Sequence, residues 1–274
     1  MRNLALWAVC LLSLPLTSCK NNAPADADTT GSTSITSVPT VVTNQDSIKE
    51  VYARRMSTRT EAFPSRQILE AGKLNPVDEA PQDTSFFLFR EDLLEAVRNK
   101  DIFFVTKALD PNIKASFGDP EGIATFVRIW GLESPDKTKD SRLWDVLEKV
   151  LEGGGTFEEN GQRFIAPYVF STFPEEYDSF EYGAITGSGV RMREGPGLNT
   201  RTLTTLSHNI VKINGYSEHE DTIGGEVHSW VAIETLDGTE GHVYGQFVDK
   251  PIDFRAGFEK KDGRWWMVFL VAGD

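Results

Sequence analysis

The chain has 274 residues, 39% of them hydrophobic and 25% charged, which is enough to bury a good core and leaves room for two modest domains. Its 28 basic against 41 acidic side chains give a net charge of -13. That balance repels nucleic-acid phosphates and anionic lipid heads, which need a clustered basic face, so nucleic acid is excluded as an expected partner.

The first residues, MRNLALWAVCLLSLPLTSC, combine Arg2, an apolar run over residues 4–16 and small residues before Cys19, and read as a secretory signal of residues 1–18. The apolar run is too short to span a bilayer. Leu16, Thr17, Ser18 and Cys19 resemble the lipobox of bacterial lipoproteins. The resemblance implies cleavage before Cys19 and lipidation of its thiol with diacylglycerol, the palmitate-type chains forming a membrane anchor. An ordinary signal with a chance cysteine is the other reading, but the only other cysteine, Cys10, lies inside the discarded run. The body after it has no thiol and no internal disulfide, which closes thiol chemistry and papain-like catalysis to it. Removing residues 1–18 takes away Arg2 and leaves 27 basic against 41 acidic groups, a net charge of -14.

Residues 19–46, rich in Ser, Thr, Asn, Ala and Pro, are expected to form a flexible tether. Residues 58–84, carrying Pro64, Pro76 and Pro81, read as loop with short ordered pieces. A helix follows, with Leu93, Leu94 and Val97 on one face and Phe104 and Ala108 continuing it until Asp110 and Pro111. KASFG alternates as a strand, with Ala115 and Phe117 on one face. A second helix opens at Asp119, Pro120 and Glu121 and carries Ile123, Phe126, Val127 and Trp130. A third runs from Ser141 through Leu143, Trp144, Leu147, Val150 and Leu151 to the stop at Gly153, Gly154 and Gly155. Asn160 and Gly161 mark a hairpin turn before Arg163, Phe164 and Ile165.

Strands dominate the remainder. Val190 and Met192 alternate with Arg191 and Arg193, which places the two arginines on the opposite, exposed face. Ile210, Val211 and Ile213 form a second strand, and residues 230–235 and 241–244 flank a turn at Asp237 and Gly238. Two last strands about Asp262 and Gly263 carry Phe254, Phe258, Trp265, Trp266 and Phe269, aromatics that need a core to cover them.

The run Val190, Arg191, Met192, Arg193, Glu194, Gly195, Pro196, with Thr204, Leu206, the 210–213 strand, Trp230, Val231 and residues 238–244, resembles the bacterial Src-homology-three domain. The resemblance covers residues 181–250 and implies a small barrel that binds a peptide or peptidoglycan element. Asn209 stands where that family has glycine, His242 where it often has tryptophan, and residues 215–229 are longer than usual. Residues 47–180, completed by residues 251–274, resemble more weakly the cone-shaped nuclear-transport-factor-two-like fold. The expected class is therefore α+β, a small all-β barrel beside a helical/β domain closed by a C-terminal hairpin.

No catalytic constellation emerges. His208, His219, His228 and His242 match no metal-ligand spacing, and HEDTIGGEVH reads as a solvated loop. Gly187, Ser188 and Gly189 are not a nucleophile elbow, and the glycine runs lack the lysine of a phosphate loop. No cofactor or metal is expected. Trp230 and Tyr244 are the aromatic candidates for ligand contact, Trp230 with a core role as its alternative. Arg191 and Arg193 are the candidates for clasping a peptide carboxylate.

The expectation is a non-enzymatic lipoprotein of the bacterial cell envelope, anchored through Cys19, with peptidoglycan, an envelope peptide or an envelope protein as partner. Where the organism has an outer membrane, Lys20 rather than aspartate after the cysteine points to that membrane. Two alternatives stand beside it: a small-molecule or weakly catalytic pocket in the cone-shaped domain, and a purely structural assembly partner.

Overall fold

The computed structural model describes residues 44–58 and 63–273, except the side chains of residues 44–46; Cys19 and residues 19–43 of the expected tether lie outside the described residues. The chain is mixed α and β, with a group of helices against one five-stranded sheet and a second, seven-stranded antiparallel sheet that curls into a half-barrel.

Helix α1 (Asn44–Thr58) takes in the last three residues of the stretch expected to be tether, and sequence periodicity does not reveal it. Its Tyr52 packs edge-on against Phe87, and the Tyr52 hydroxyl donates to the Pro81 carbonyl at 3.0 Å. Arg55 reaches Asp92 and Glu95, each at 2.9 Å. These contacts, rather than an apolar stripe, hold the helix in place.

Helix α2 (Thr84–Arg98) is capped by Asp83, whose carboxylate accepts from the Phe86 backbone N–H at 2.9 Å. Positions 86, 90, 93 and 97 make its buried stripe, and the second of them is Arg90. Its guanidinium grips Asp78 with two bonds of 2.7 and 2.9 Å, both residues almost fully buried. The expected long helix is in fact two. Lys100 adopts a left-handed φ of 54°, and Asp101 then caps α3 (Ile102–Ala108) through the N–H groups of Phe103 and Phe104.

Strand β1 (Leu109–Lys114) stands where a helix end was expected, and the predicted KASFG strand lies beyond it, with Ala115 buried but Phe117 nearly half exposed. Asp110 and Pro111 fit here because β1 is an edge strand, where proline's missing N–H costs no ladder bond. Helices α4 (Ile123–Ile129) and α5 (Pro135–Lys139) follow; α5 was not anticipated. Helix α6 (Leu143–Glu152) buries Leu143, Trp144, Leu147, Val150 and Leu151 at helical spacing. At its end Gly155 has φ of 150°, and a Cβ there would lie 2.1 Å from the Ile165 carbonyl oxygen, so only glycine fits.

Strands β2 (Thr156–Glu158) and β3 (Arg163–Ala166) form a hairpin, and the short helix α7 (Tyr168–Ser171) leads away from it. The chain then builds the half-barrel and returns as β11 (Arg255–Lys261) and β12 (Arg264–Val271). These two complete the first sheet, in the order β1-β12-β11-β3-β2, with β1 parallel to β12 and all other pairs antiparallel. Phe86 stands at the centre of the core between helices and sheet, with ring centroids of Phe164, Trp265, Phe258 and Phe157 at 4.3, 4.8, 5.5 and 5.6 Å.

Asp83 ties α2 to the last hairpin through Lys260 at 3.2 Å. Burial pushes its carboxyl pKa up, but the Ser85 hydroxyl, the Phe86 N–H and the Lys260 ammonium outweigh burial and hold it below the ordinary value. A depressed folded pKa contributes stability above the unfolded value of about 3.9 and loses it as the pH falls through the folded one. Asp83→Ala is therefore expected to cost about 1 kcal/mol at neutral pH, a typical cap value, with the deficit shrinking below about pH 4. Urea titrations of both proteins at a series of pH values measure it; a deficit constant with pH would show that the charge plays no part.

Candidate functional site

The seven-stranded sheet runs β10 (Val248–Asp249), β4 (Tyr182–Ile185), β7 (Ile210–Ile223), β8 (Glu226–Thr235), β9 (Glu240–Tyr244), β5 (Val190–Arg193) and β6 (Thr202–Leu206). Every neighbouring pair is antiparallel. Ile185, Val190, Met192, Leu206, Val211, Val231, Ile233 and Val243 fill its concave side. A third cluster, including Leu74, Val77, Tyr168, Val169, Ala184 and Ile210, joins this sheet to the segment before α2 and to α7. Residues 72–74 act almost as another strand there: the Leu74 N–H donates to the His208 carbonyl at 2.7 Å and the Ile210 N–H to the Gly72 carbonyl at 2.9 Å.

The HEDTIGGEVH run is paired strand rather than loop. Glu220, Asp221, Thr222 and Ile223 face Ser229, His228, Val227 and Glu226 across a turn at Gly224 and Gly225. His219 and His228 sit beside Asp221 and Glu226 at 3.4 and 3.2 Å, and among the described residues no group of three or more such side chains converges on a metal-sized site.

The four sequence-derived candidates separate. Arg191 is exposed. Arg193 is not: it stands on the same face as Arg191, opposite Val190 and Met192, but that face is covered at its position and it is only 8% exposed. Its guanidinium donates to the Thr200 carbonyl at 2.6 Å and lies 5.9 Å from the Trp230 ring centre. Trp230 and Tyr244 are buried as well, at 1% and 2%. The Trp230 indole N–H donates to the Asp221 carboxylate at 2.8 Å, and the same oxygen accepts from the Leu198 N–H at 3.1 Å. The Tyr244 hydroxyl lies between the Asp221 and Glu226 carbonyls at 3.0 and 2.7 Å. Arg193, Trp230 and Tyr244 thus form one satisfied network that fastens the long β7–β8 hairpin to the turn after β5. They are supports, and Arg191 alone of the four offers a free surface group.

The open surface of the half-barrel lies elsewhere. A groove of about 570 Å³ runs beside β6, lined by Leu203, Thr204, Thr205 and Leu206, with Ala71 and Gly72, Asn209 and Ile210, and the β8–β9 turn of Thr235, Leu236, Asp237 and Thr239 as its other walls. Successive strand residues point to opposite faces, so four in a row can border one groove only along the strand's edge. Leu236 is 47% exposed at its rim. The Asp237 carboxyl pKa is lowered by bonds from the Thr235 and Thr239 hydroxyls and the Thr239 N–H, which keeps a negative charge on this wall. Lys73, behind Asn209, spends its ammonium on the Ser207 carbonyl at 2.7 Å. Sequence reasoning passed over this groove, although the uncharged run TLTTL was a signal available to it.

A larger cleft of about 720 Å³ between α1, α2 and α6 is walled by ion pairs, Arg55 with Glu95 and Arg98 with Glu152. Thr58 and Phe63 also line it. Among the described residues no helix is long and apolar enough to cross a membrane. Comparison with protein-family models finds none that matches this chain, and comparisons with curated proteins and with solved structures find no match either.

Proposed function

We propose that the chain is a non-catalytic envelope lipoprotein, anchored through Cys19, whose half-barrel is a Src-homology-three-like module binding a peptide or peptidoglycan element. The reading is carried by the groove beside β6, of a size suited to a short segment of ligand and mixed in character, with leucine, threonine and one carboxylate on its walls. The anchor and the wall ligand rest on the resemblances in the sequence, as does the outer-membrane placement. The ring cluster around Phe86 fills the space between the helices and the first sheet, which weakens the alternative of a small-molecule pocket there.

Co-sedimentation of the full chain, in mild detergent, with purified peptidoglycan tests the proposal. Saturable binding is expected, reduced in a Leu236→Glu variant, where a charge enters the exposed groove rim. Absence of saturable binding by the unaltered chain would overturn the wall-ligand reading.

A further inference from the structure

The two sheets have four edge strands among the described residues, and three carry the usual guards against further pairing. Strand β1 bears Asp110, Pro111 and Lys114. Strand β2 is three residues long and ends in Glu158. Strand β10 has two residues, and its Asp249 is held by Lys149 at 2.6 Å. Strand β6 has none of these. Its residues are Thr202, Leu203, Thr204, Thr205 and Leu206, without charge or proline, and the one irregularity falls at its start, leaving residues 204–206 in regular register with β5.

An unguarded edge presents backbone donors and acceptors to solvent, and here that edge faces a groove instead of open water. The groove's far wall is the segment at Ala71 and Gly72, so an added strand would lie between two stretches of backbone and continue the curl of the sheet. The only charged lining residue is Asp237, which makes no ion pair among the described residues, and Glu240 stands exposed beside the same turn. That wall complements a cation.

Resting on the reading of the half-barrel as a binding module, we propose that its ligand is an extended peptide bearing a basic side chain, added as a strand to the free edge of β6 with the cation against Asp237. Main-chain bonds to residues 204–206 supply the affinity common to all such ligands. Alternate side chains of the peptide meet Leu203 and Leu236, and the basic one meets the carboxylate.

The test uses the full chain in mild detergent and a pool of capped hexapeptides with one fixed lysine and alternate positions randomised among valine, threonine and leucine. At pool concentrations on the order of 1 mM, hydrogen exchange at the amides of residues 202–206 is expected to slow. Alternate N-methylation of the peptides, tried in both phases, is expected to abolish the protection in one phase, since only one set of amides faces the strand. Asp237→Asn should weaken the lysine pool about two- to five-fold and leave a norleucine pool unchanged, as an exposed charge pair would.

No protection of β6, or protection indifferent to N-methylation in both phases, would overturn strand addition. A concentration-dependent dimer that protects the same amides without peptide would assign the edge to a second copy and overturn the peptide proposal. Peptidoglycan binding that persists while β6 stays unprotected retains the wall-binding reading and removes strand addition alone. Protection without peptidoglycan binding does the reverse.

Discussion

Trp230→Ala is expected to destabilise the half-barrel by about 3–5 kcal/mol, the range for removing a large buried ring. The indole is 1% exposed, donates to Asp221 and carries Arg193 on one side and Tyr244 edge-on at a centroid distance of 5.8 Å. Truncation removes the packing and leaves the Asp221 carboxylate with the Leu198 N–H but without the indole donor. Urea unfolding followed by circular dichroism measures the loss. Because the ring does not line the groove, any fraction of the variant that stays folded should bind groove ligands with little change. A stability cost under about 1 kcal/mol together with lost binding would return Trp230 to the list of ligand contacts.

Arg90→Ala is expected to cost about 3–5 kcal/mol for a different reason. The bidentate Arg90–Asp78 pair lies inside the first core, and removing the guanidinium leaves a buried carboxylate with far less compensation. The Ala80 N–H, 3.2 Å from Asp78, remains. In the variant, burial would raise the folded pKa of Asp78 above its unfolded value. The native state would then bind more protons than the unfolded one, and the deficit would shrink as the pH is lowered. The companion double variant Asp78→Ala/Arg90→Ala should recover part of the loss, since an apolar replacement carries no unpaired charge. Equal stability of the single variant at pH 7 and pH 5 would show that the carboxylate finds compensation elsewhere.

The elements most legible in the sequence are those whose burial is periodic and local. Leu143, Trp144, Leu147, Val150 and Leu151 announce α6, Gly153 to Gly155 announce its end, and Asp262 and Gly263 announce the last turn. Hydrophobic spacing of this kind reports which face is buried because a helix or a regular strand repeats its geometry. Helix α1 escaped because its contacts are a tyrosine edge, a hydroxyl bond and two ion pairs, none of which leaves a period. Pro111 was read as a helix end because the sequence does not say that its strand lies at an edge.

The same division runs through the site. Composition and motif suggest the class of module and an anchor at Cys19, and the aromatic content of residues 254–269 requires a core. Tertiary structure decides that these aromatics complete a sheet begun by β1 and β3, on the far side of the half-barrel in sequence. Arg193 keeps to the face opposite Val190 and Met192, as a period of two requires, but that face is covered there, by Trp230 and by the β7–β8 hairpin that Asp221 fastens to it. The same covering buries Trp230 and Tyr244 and leaves the groove to Thr204, Thr205, Leu236 and Asp237, of which only the uncharged run holding the two threonines stands out in the sequence. Which strand lies at an edge is a property of the whole sheet, so the exposed backbone of β6 becomes visible only when its neighbours are in place.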